Sequence, residues 1–182
     1  MDAGEIAAEE AALLVRSLLS AGVDTTVATI AHLLHCLATH PREWNALRRQ
    51  PALIPAAIDE TLRYASPVHT FCRTTARPVA IGQVELPAGT KVLCLMAAAN
   101  RDPRRWERAD DFDIRRPARP HVAFGSGIHV CVGQHVARRE IAALLAVLTR
   151  RVAAIELAGV PTWRPGNAVR TLAELPLRLT PA

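Results

Sequence analysis

A single thiol stands where a glycine-bent loop meets a helix, in Phe124-Gly125-Ser126-Gly127-Ile128-His129-Val130-Cys131-Val132-Gly133. The thiolate is the form of cysteine that attacks carbon or binds metal, and its free pKa of roughly 8.5 falls at a helix N-terminus or on a metal. From Gln134 to Arg151 the chain has good helix formers, neither Pro nor Gly, and a closing basic pair suited to a helix C-terminus. Cys131 thus stands just ahead of the positive end of a helix dipole. Gly125, Gly127 and Gly133 permit backbone angles and close approaches that a Cβ would forbid, so backbone N–H groups could face the sulfur while a flat ligand lies on the loop. Phe124 would wall the sulfur from water. Three chemistries suit these residues: an axial metal ligand, a nucleophile with His129 or His135 as base, and a buried, inert small side chain.

A second polar group lies far upstream. Residues from about 6 to 39 lack Pro, contain only Gly22 and carry apolar side chains at helical spacing, which predicts one long central helix ended by His40-Pro41. Within it Ser17, Ala21, Asp24 and Thr25 share one face. A Thr hydroxyl bonded to the carbonyl four residues back can bend or open a helix. With a carboxylate beside it, that face could hold water and pass protons; otherwise it is a solvated face.

The remaining elements must position these two groups. Short helices are predicted around residues 42–49 and 51–64, where Glu60 and Arg63, three apart, can pair. Stretches 68–75, 79–86 and 90–96 read as strands between Pro78, Gly82 and Pro87-Ala88-Gly89. On a generic reading Val68 and Phe71 are strand core and Arg73 is surface. The segment from Asn100 to Pro120 reads as loop, and the last thirty residues as a β-hairpin broken by Pro161, Pro165, Gly166 and Pro176. The expected fold is mainly α with small β-sheets (α+β), one unit over residues 1–182.

The chain is 50% hydrophobic and 21% charged over 182 residues, which excludes a disordered polypeptide. Its net charge of +5 comes almost wholly from arginine, Lys91 being the single lysine. Such a surface suits an acidic protein partner, and no aromatic-interleaved basic stripe suggests nucleic acid. Cys36, Cys72, Cys94 and Cys131 form no CxxC pair, which argues against structural zinc and for reduced thiols. The acidic first ten residues and the lack of an eighteen-residue apolar run predict a cytoplasmic protein without a membrane span.

Phe124, Gly127, Cys131 and Gly133, with His129 two before the thiol, resemble in every fixed position the haem-binding loop of the cytochrome P-450 family. Ala21-Gly22-Val23-Asp24-Thr25-Thr26 resembles the family's oxygen-activation motif, and Glu60-Thr61-Leu62-Arg63 its ExxR signature. The resemblance implies haem b (iron protoporphyrin IX), with Cys131 as metal ligand and Arg73, Phe124, Gly125, His129 and Gly133 as cofactor contacts. Arg73 and His129 would bond propionates. Asp24 and Thr25 would relay protons to dioxygen, and Ser17, Ala21, Val68, Phe71 and Val169 would line the substrate pocket.

Glu60 and Arg63 would form a buried ion pair completed by an arginine ahead of the cysteine loop. The family position falls here on Asp111, leaving Arg108 and Arg115 as candidates. The implied activity is a monooxygenase acting on a small organic substrate, with electrons from a ferredoxin-type donor docking near Arg138-Arg139. Arg16-Ser17, Val68 and Phe71 resemble a soluble bacterial subgroup that oxidises small aromatic carboxylic acids. The family is usually more than twice as long, so the chain reads as its C-terminal half, without the N-terminal helices. An inactive or weakly active fragment, and a non-catalytic haem-binding or interaction fragment, are the alternatives. A thiol hydrolase is remote, because no oxyanion donor or orienting residue is suggested.

Overall fold

The computed structural model of the chain describes residues 6–182, and its longest element is the predicted strut: α1 runs unbroken from Ala8 to Thr39. Thr25 Oγ1 donates to Ala21 O at 2.7 Å and Thr29 Oγ1 to Thr25 O at 2.7 Å. The expected hydroxyl–carbonyl bond is therefore present, and the helix stays closed around it. The C-terminal half of α1 is core, with Ala28, Leu33, Cys36 and Leu37 buried. The N-terminal half leaves Leu13, Leu14, Leu18, Leu19 and Val23 exposed. Its 18-residue apolar window, with mean hydropathy 1.3, makes α1 long and apolar enough to cross a membrane by length and composition. The sequence expectation of no such segment is corrected to that extent, although the same helix is the centre of the core at its other end.

Pro41 stops α1 and opens α2 (Pro41–Arg49), where the missing N–H of a first-turn proline costs nothing. A 3₁₀ turn leads into α3 (Ile54–Ala65). β1 (Thr70–Thr74) pairs antiparallel with β4 (Lys91–Leu95), from Thr70 opposite Leu95 to Thr74 opposite Lys91. Between them the stretch expected as one strand is a hairpin of β2 (Val79–Ile81) and β3 (Val84–Leu86). It turns at Gly82, whose φ of +61° is a left-handed conformation that glycine adopts without strain.

One turn of helix, α4 (Met96–Ala99), precedes the long irregular segment, and α5 (Gln134–Arg151) follows the cysteine loop. The C-terminal hairpin is two nested pairs. β5 (Val152–Leu157) runs against β8 (Leu177–Pro181), and β6 (Thr162–Trp163) against β7 (Leu172–Glu174). Leu33, Leu37, Trp44, Leu47, Ile58, Ile114, Ile141, Leu145 and Ile155 interlock as the core, so α1, α2, α3, α5 and β5 all face one another.

Charge lies within this core as well. Arg63 and Glu60 are completely buried, with Nε to Oε2 at 2.8 Å and Nη2 to Oε1 at 2.8 Å. Arg63 also donates to the carbonyls of Asn100 (3.0 Å), Ala109 (2.8 Å) and Asp111 (3.0 Å), so all five of its N–H groups are used. The third partner is Arg116, whose Nε lies 3.3 Å from Glu60 Oε1. Neither sequence candidate fills that role: Arg108 faces Asp111 and Arg115 faces Glu43, both at the surface. The reason is a turn at residues 113–116, closed by Arg116 N–H on Asp113 O at 3.0 Å, which swings the next guanidinium inward.

The neighbouring carboxylate, Asp59, is buried too. It accepts from Arg138 Nη2 at 2.5 Å, Arg119 Nε at 2.6 Å and His121 Nε2 at 3.3 Å. Burial pushes its pKa up, but the hydrogen bonds from His121, Arg138 and Arg119 outweigh burial and hold it at about 2 against 3.8.

Breaking a buried pair by deleting one partner leaves an uncompensated charge, so Arg63→Ala is expected to cost roughly 3–5 kcal/mol of unfolding free energy in urea. Arg108→Ala and Arg115→Ala should each cost less than about 1 kcal/mol, and Arg116→Ala more than either. Equal costs for the three would remove Arg116 from the cluster. Because its folded pKa is depressed, Asp59 contributes stability that is complete above pH 3.8 and is lost as pH falls through about 2. Urea midpoints across that window should fall more steeply for the parent chain than for Asp59→Asn.

Candidate active site

The cysteine loop folds as its glycines suggested. Gly125 has φ +74°, and a Cβ there would sit 2.6 Å from His129 O, so only glycine lets the loop close on itself. Gly127 has φ +61° and opens a 3₁₀ turn through His129. Gly133 differs: its backbone is ordinary right-handed helix at the N-cap of α5, and a Cβ would meet Cys131 Sγ at 3.9 Å, a normal contact. Cys131 N–H donates to Phe124 O at 2.8 Å and Val130 N–H to Gly127 O at 3.1 Å. Those two amides are therefore spent on the loop rather than aimed at the sulfur. Cys131 itself is exposed, and Ile128, Val130, Val132 and Val136 are exposed around it. Phe124 backs the loop without covering the thiol.

A cavity of about 560 Å³ brings both polar groups of the sequence together. The loop supplies Phe124, Gly125, Ser126, His129 and Cys131; α1 supplies Ala21, Thr25, Thr26 and Thr29; the β1 region supplies Val68, Phe71 and Arg73. Asp24 is exposed beside this lining, Ser17 lies one turn before Ala21 with its hydroxyl donating to Leu13 O at 2.8 Å, and Gly133 is adjacent to the loop. Val169 stands one step back, bridging the backbone of Val68. The Arg73 guanidinium reaches Cys72 O at 2.9 Å and lies 5.6 Å from the Phe71 ring.

Several lining residues were missed by sequence reasoning. Thr29 continues the spacing of Ala21 and Thr25 along one helix face, so the period alone could have found it. Leu62 and Met96 carry no such signal. Outside the cavity, buried His32 bonds Arg170 O at 2.9 Å through Nε2 and lies 5.4 Å from the Trp163 ring. Its pKa is lowered, chiefly by burial. With Arg170 N–H on Pro67 O and His69 N–H on Ala168 O, this contact pins the C-terminal turn over the start of β1. Of the other thiols, Cys36 is buried and its pKa is pushed up to about 12 by burial, so it stays a neutral core side chain.

The residues present fit a haem. One exposed thiol at a helix start, two side chains able to meet carboxylates (Arg73 and His129) and apolar walls share one space. The sequence profile of the cytochrome P-450 family matches residues 2–153. The chain is 54% identical over 181 residues to cytochrome P-450 CYP199A2 of Rhodopseudomonas palustris, a match covering 100% of this chain and 44% of that protein. It is 40% identical over 178 residues to the beta-dihydromenaquinone-9 omega-hydroxylase of Mycobacterium tuberculosis, covering 98% of this chain and 36% of that protein.

Among solved structures, cytochrome P-450 CYP109Q5 from Chondromyces apiculatus superposes with TM-score 0.94 at 38% identity, covering 100% of this chain and 47% of that one. CYP108D1 from Novosphingobium aromaticivorans superposes with TM-score 0.94 at 35% identity, covering 100% of this chain and 44% of that one. The chain thus spans less than half the length of these relatives. Since the profile takes in most of the chain, from before α1 to the start of β5, the chain belongs to the cytochrome P-450 family, whose cofactor is haem.

Proposed function

We propose that residues 1–182 are the C-terminal portion of a cytochrome P-450 domain whose reaction is a haem-dependent monooxygenation of a small organic molecule. The observation that carries this reading is the single cavity shared by Cys131, His129, Arg73 and Thr25. Bound there as iron protoporphyrin IX, the cofactor would supply the reductive use of dioxygen: a substrate C–H, O₂, two electrons and two protons become a C–O–H and water.

The chain's own residues have separate tasks. The Cys131 thiolate would hold the iron, its backbone tied to the loop by the amide bond to Phe124 O. Arg73 and His129 would meet the propionates, Arg73 as a fixed cation and His129 as a ring N–H donor. Thr25 already donates its hydroxyl proton to Ala21 O, so what it offers the cavity is an acceptor oxygen, the role needed to hold a water. Asp24, the residue before it, would exchange protons with solvent. Val68, Phe71 and Ala21 would pack the substrate, with Val169 supporting Val68. Ser17 and Arg16, on the approach to the cavity, favour a small aromatic carboxylic acid. The electron donor would be an acidic ferredoxin in the cytoplasm. Its docking cation on α5 would be the exposed Arg139, because Arg138 is turned inward onto Asp59. A second reading, a haem-binding chain without turnover, is favoured by the exposure of the apolar first half of α1, the helix that carries Ala21 and Thr25, which leaves that side of the cavity open to water.

Titration of the purified chain with haem, followed by reduction and carbon monoxide, should give a long-wavelength Soret band. Cys131→Ser should abolish it, while Cys72→Ser and Cys94→Ser retain it. A band that survives Cys131→Ser would sink the ligand assignment. Arg73→Ala and His129→Ala should each weaken haem affinity roughly tenfold or more, the value of a charge-assisted hydrogen bond. Unchanged affinity in both would remove them from the propionate site.

A further inference from the structure

Asp59 is sixty or more residues from every group that it binds, and two of the three, Arg138 and His121, bear on the cysteine loop. Arg138, on the first turns of α5, donates Nη2 to Asp59 Oδ1 at 2.5 Å and Nη1 to Gln134 Oε1 at 3.1 Å. Its guanidinium carbon then lies 4.5 Å from the centre of the Phe124 ring, inside cation–π range. His121 reaches the same ring from another direction, with centroids 6.0 Å apart. The tautomer of His121 follows from its neighbours: Nδ1 accepts the Ala123 N–H at 3.2 Å, so Nε2 carries the proton and donates it to Asp59 Oδ1. Phe124 O, in turn, accepts the Cys131 N–H at 2.8 Å. A continuous path runs from one buried carboxylate through two side chains to one ring, and from that residue's carbonyl to the thiol residue.

We infer that Asp59 is a positioning residue for the Cys131 ligand loop, acting through Arg138 and His121 on Phe124. Its work is distinct from that of Glu60 beside it. Glu60 binds Arg63, Arg116 and the Asp113 N–H, and so fixes the irregular segment around residues 107–116. Asp59 fixes residues 119–125 and the start of α5. Two consecutive carboxylates on α3 thereby hold two different segments. The carboxylate is needed rather than a neutral isostere, because Asn would present an amide N–H₂ to at least one of three donors. For its consequence at the iron, this inference rests on Cys131 being the haem ligand; for the loop itself, it does not.

Hydrogen exchange on the haem-free 182-residue chain separates the two. In Asp59→Asn, amides within 121–133 should exchange at least about tenfold faster relative to those within 107–116, since an unpaired buried cation is left against the loop. Asp59→Glu should restore part of the protection. Equal acceleration of both segments, or of neither, overturns the inference. Arg138→Gln offers the same comparison if Asp59→Asn does not fold. After haem loading at equal haem content, Asp59→Asn should lose part of the long-wavelength Soret band of the reduced carbon monoxide adduct to a shorter-wavelength one. An unchanged band overturns the link from Asp59 to the thiol.

Discussion

The fold depends on a guanidinium taken completely out of water. Arg63 gives two of its N–H groups to Glu60 and three to carbonyls of a segment that has no regular structure of its own. A buried ion pair is not stabilising by virtue of charge alone, since desolvation can exceed the Coulomb gain. Its effect here is to give the carbonyls at 100, 109 and 111 a side-chain partner where the loop backbone supplies none. The irregular segment therefore takes its shape from α3, as a strand takes its register from a neighbour. Arg116 and the Asp113 N–H complete the arrangement from the loop's side, so that Glu60 accepts four hydrogen bonds, three of them on Oε1.

Once that segment is fixed, the cysteine loop has a defined place from which to start. Asn100 links the two: its carbonyl binds Arg63, its side-chain N–H₂ donates to Ser66 Oγ, and its side-chain oxygen accepts the Val122 N–H at 2.8 Å. Ser66 sits at φ +41° as the left-handed cap of α3, a strained conformation for a serine, and its hydroxyl returns to Leu62 O and Arg63 O. From Val122 the chain turns at Gly125 and passes through the 3₁₀ turn at Gly127–His129 to reach Cys131. A site built on a loop needs such rigid supports if its ligand atom is to be held to a fraction of an ångström.

Much of this was legible in the sequence. Pro41 and the run without proline marked the end and length of α1, and the types and spacing of Phe124, Gly127, Cys131 and Gly133 marked the loop. The choice of Arg116 over Arg108 and Arg115 was not legible, because in an arginine-rich irregular segment the inward residue is set by one tight turn. Strands 79–86 merged for a related reason: Gly82 reads as a break, but only its left-handed φ shows that the chain reverses there. Arg138 could have been read correctly. It is three before Ile141 and seven before Leu145, both buried, which puts it on the inner face of α5 rather than at a docking surface. Asp59 gave no signal, because its three partners come from segments sixty to seventy-nine residues away.

What the chain encodes and what it leaves open follow from the burial pattern. The supports of the cysteine loop are inside: Asp59, Glu60, Arg63, Asn100 and His121 are all buried. The cavity face is outside: Cys131 is exposed, α1 and the β1 region are among the cavity walls, and the apolar residues of α1 ahead of Ala21 face solvent. Charges and dipoles aimed at a reacting atom act far more strongly where water is excluded than in water, because solvent screens them and competes for their hydrogen bonds. Rigidity of the cysteine loop and exclusion of water are thus separable in this fold: the first is built by contacts within residues 59–138, while Leu13, Leu14, Leu18 and Leu19 of α1 stand exposed.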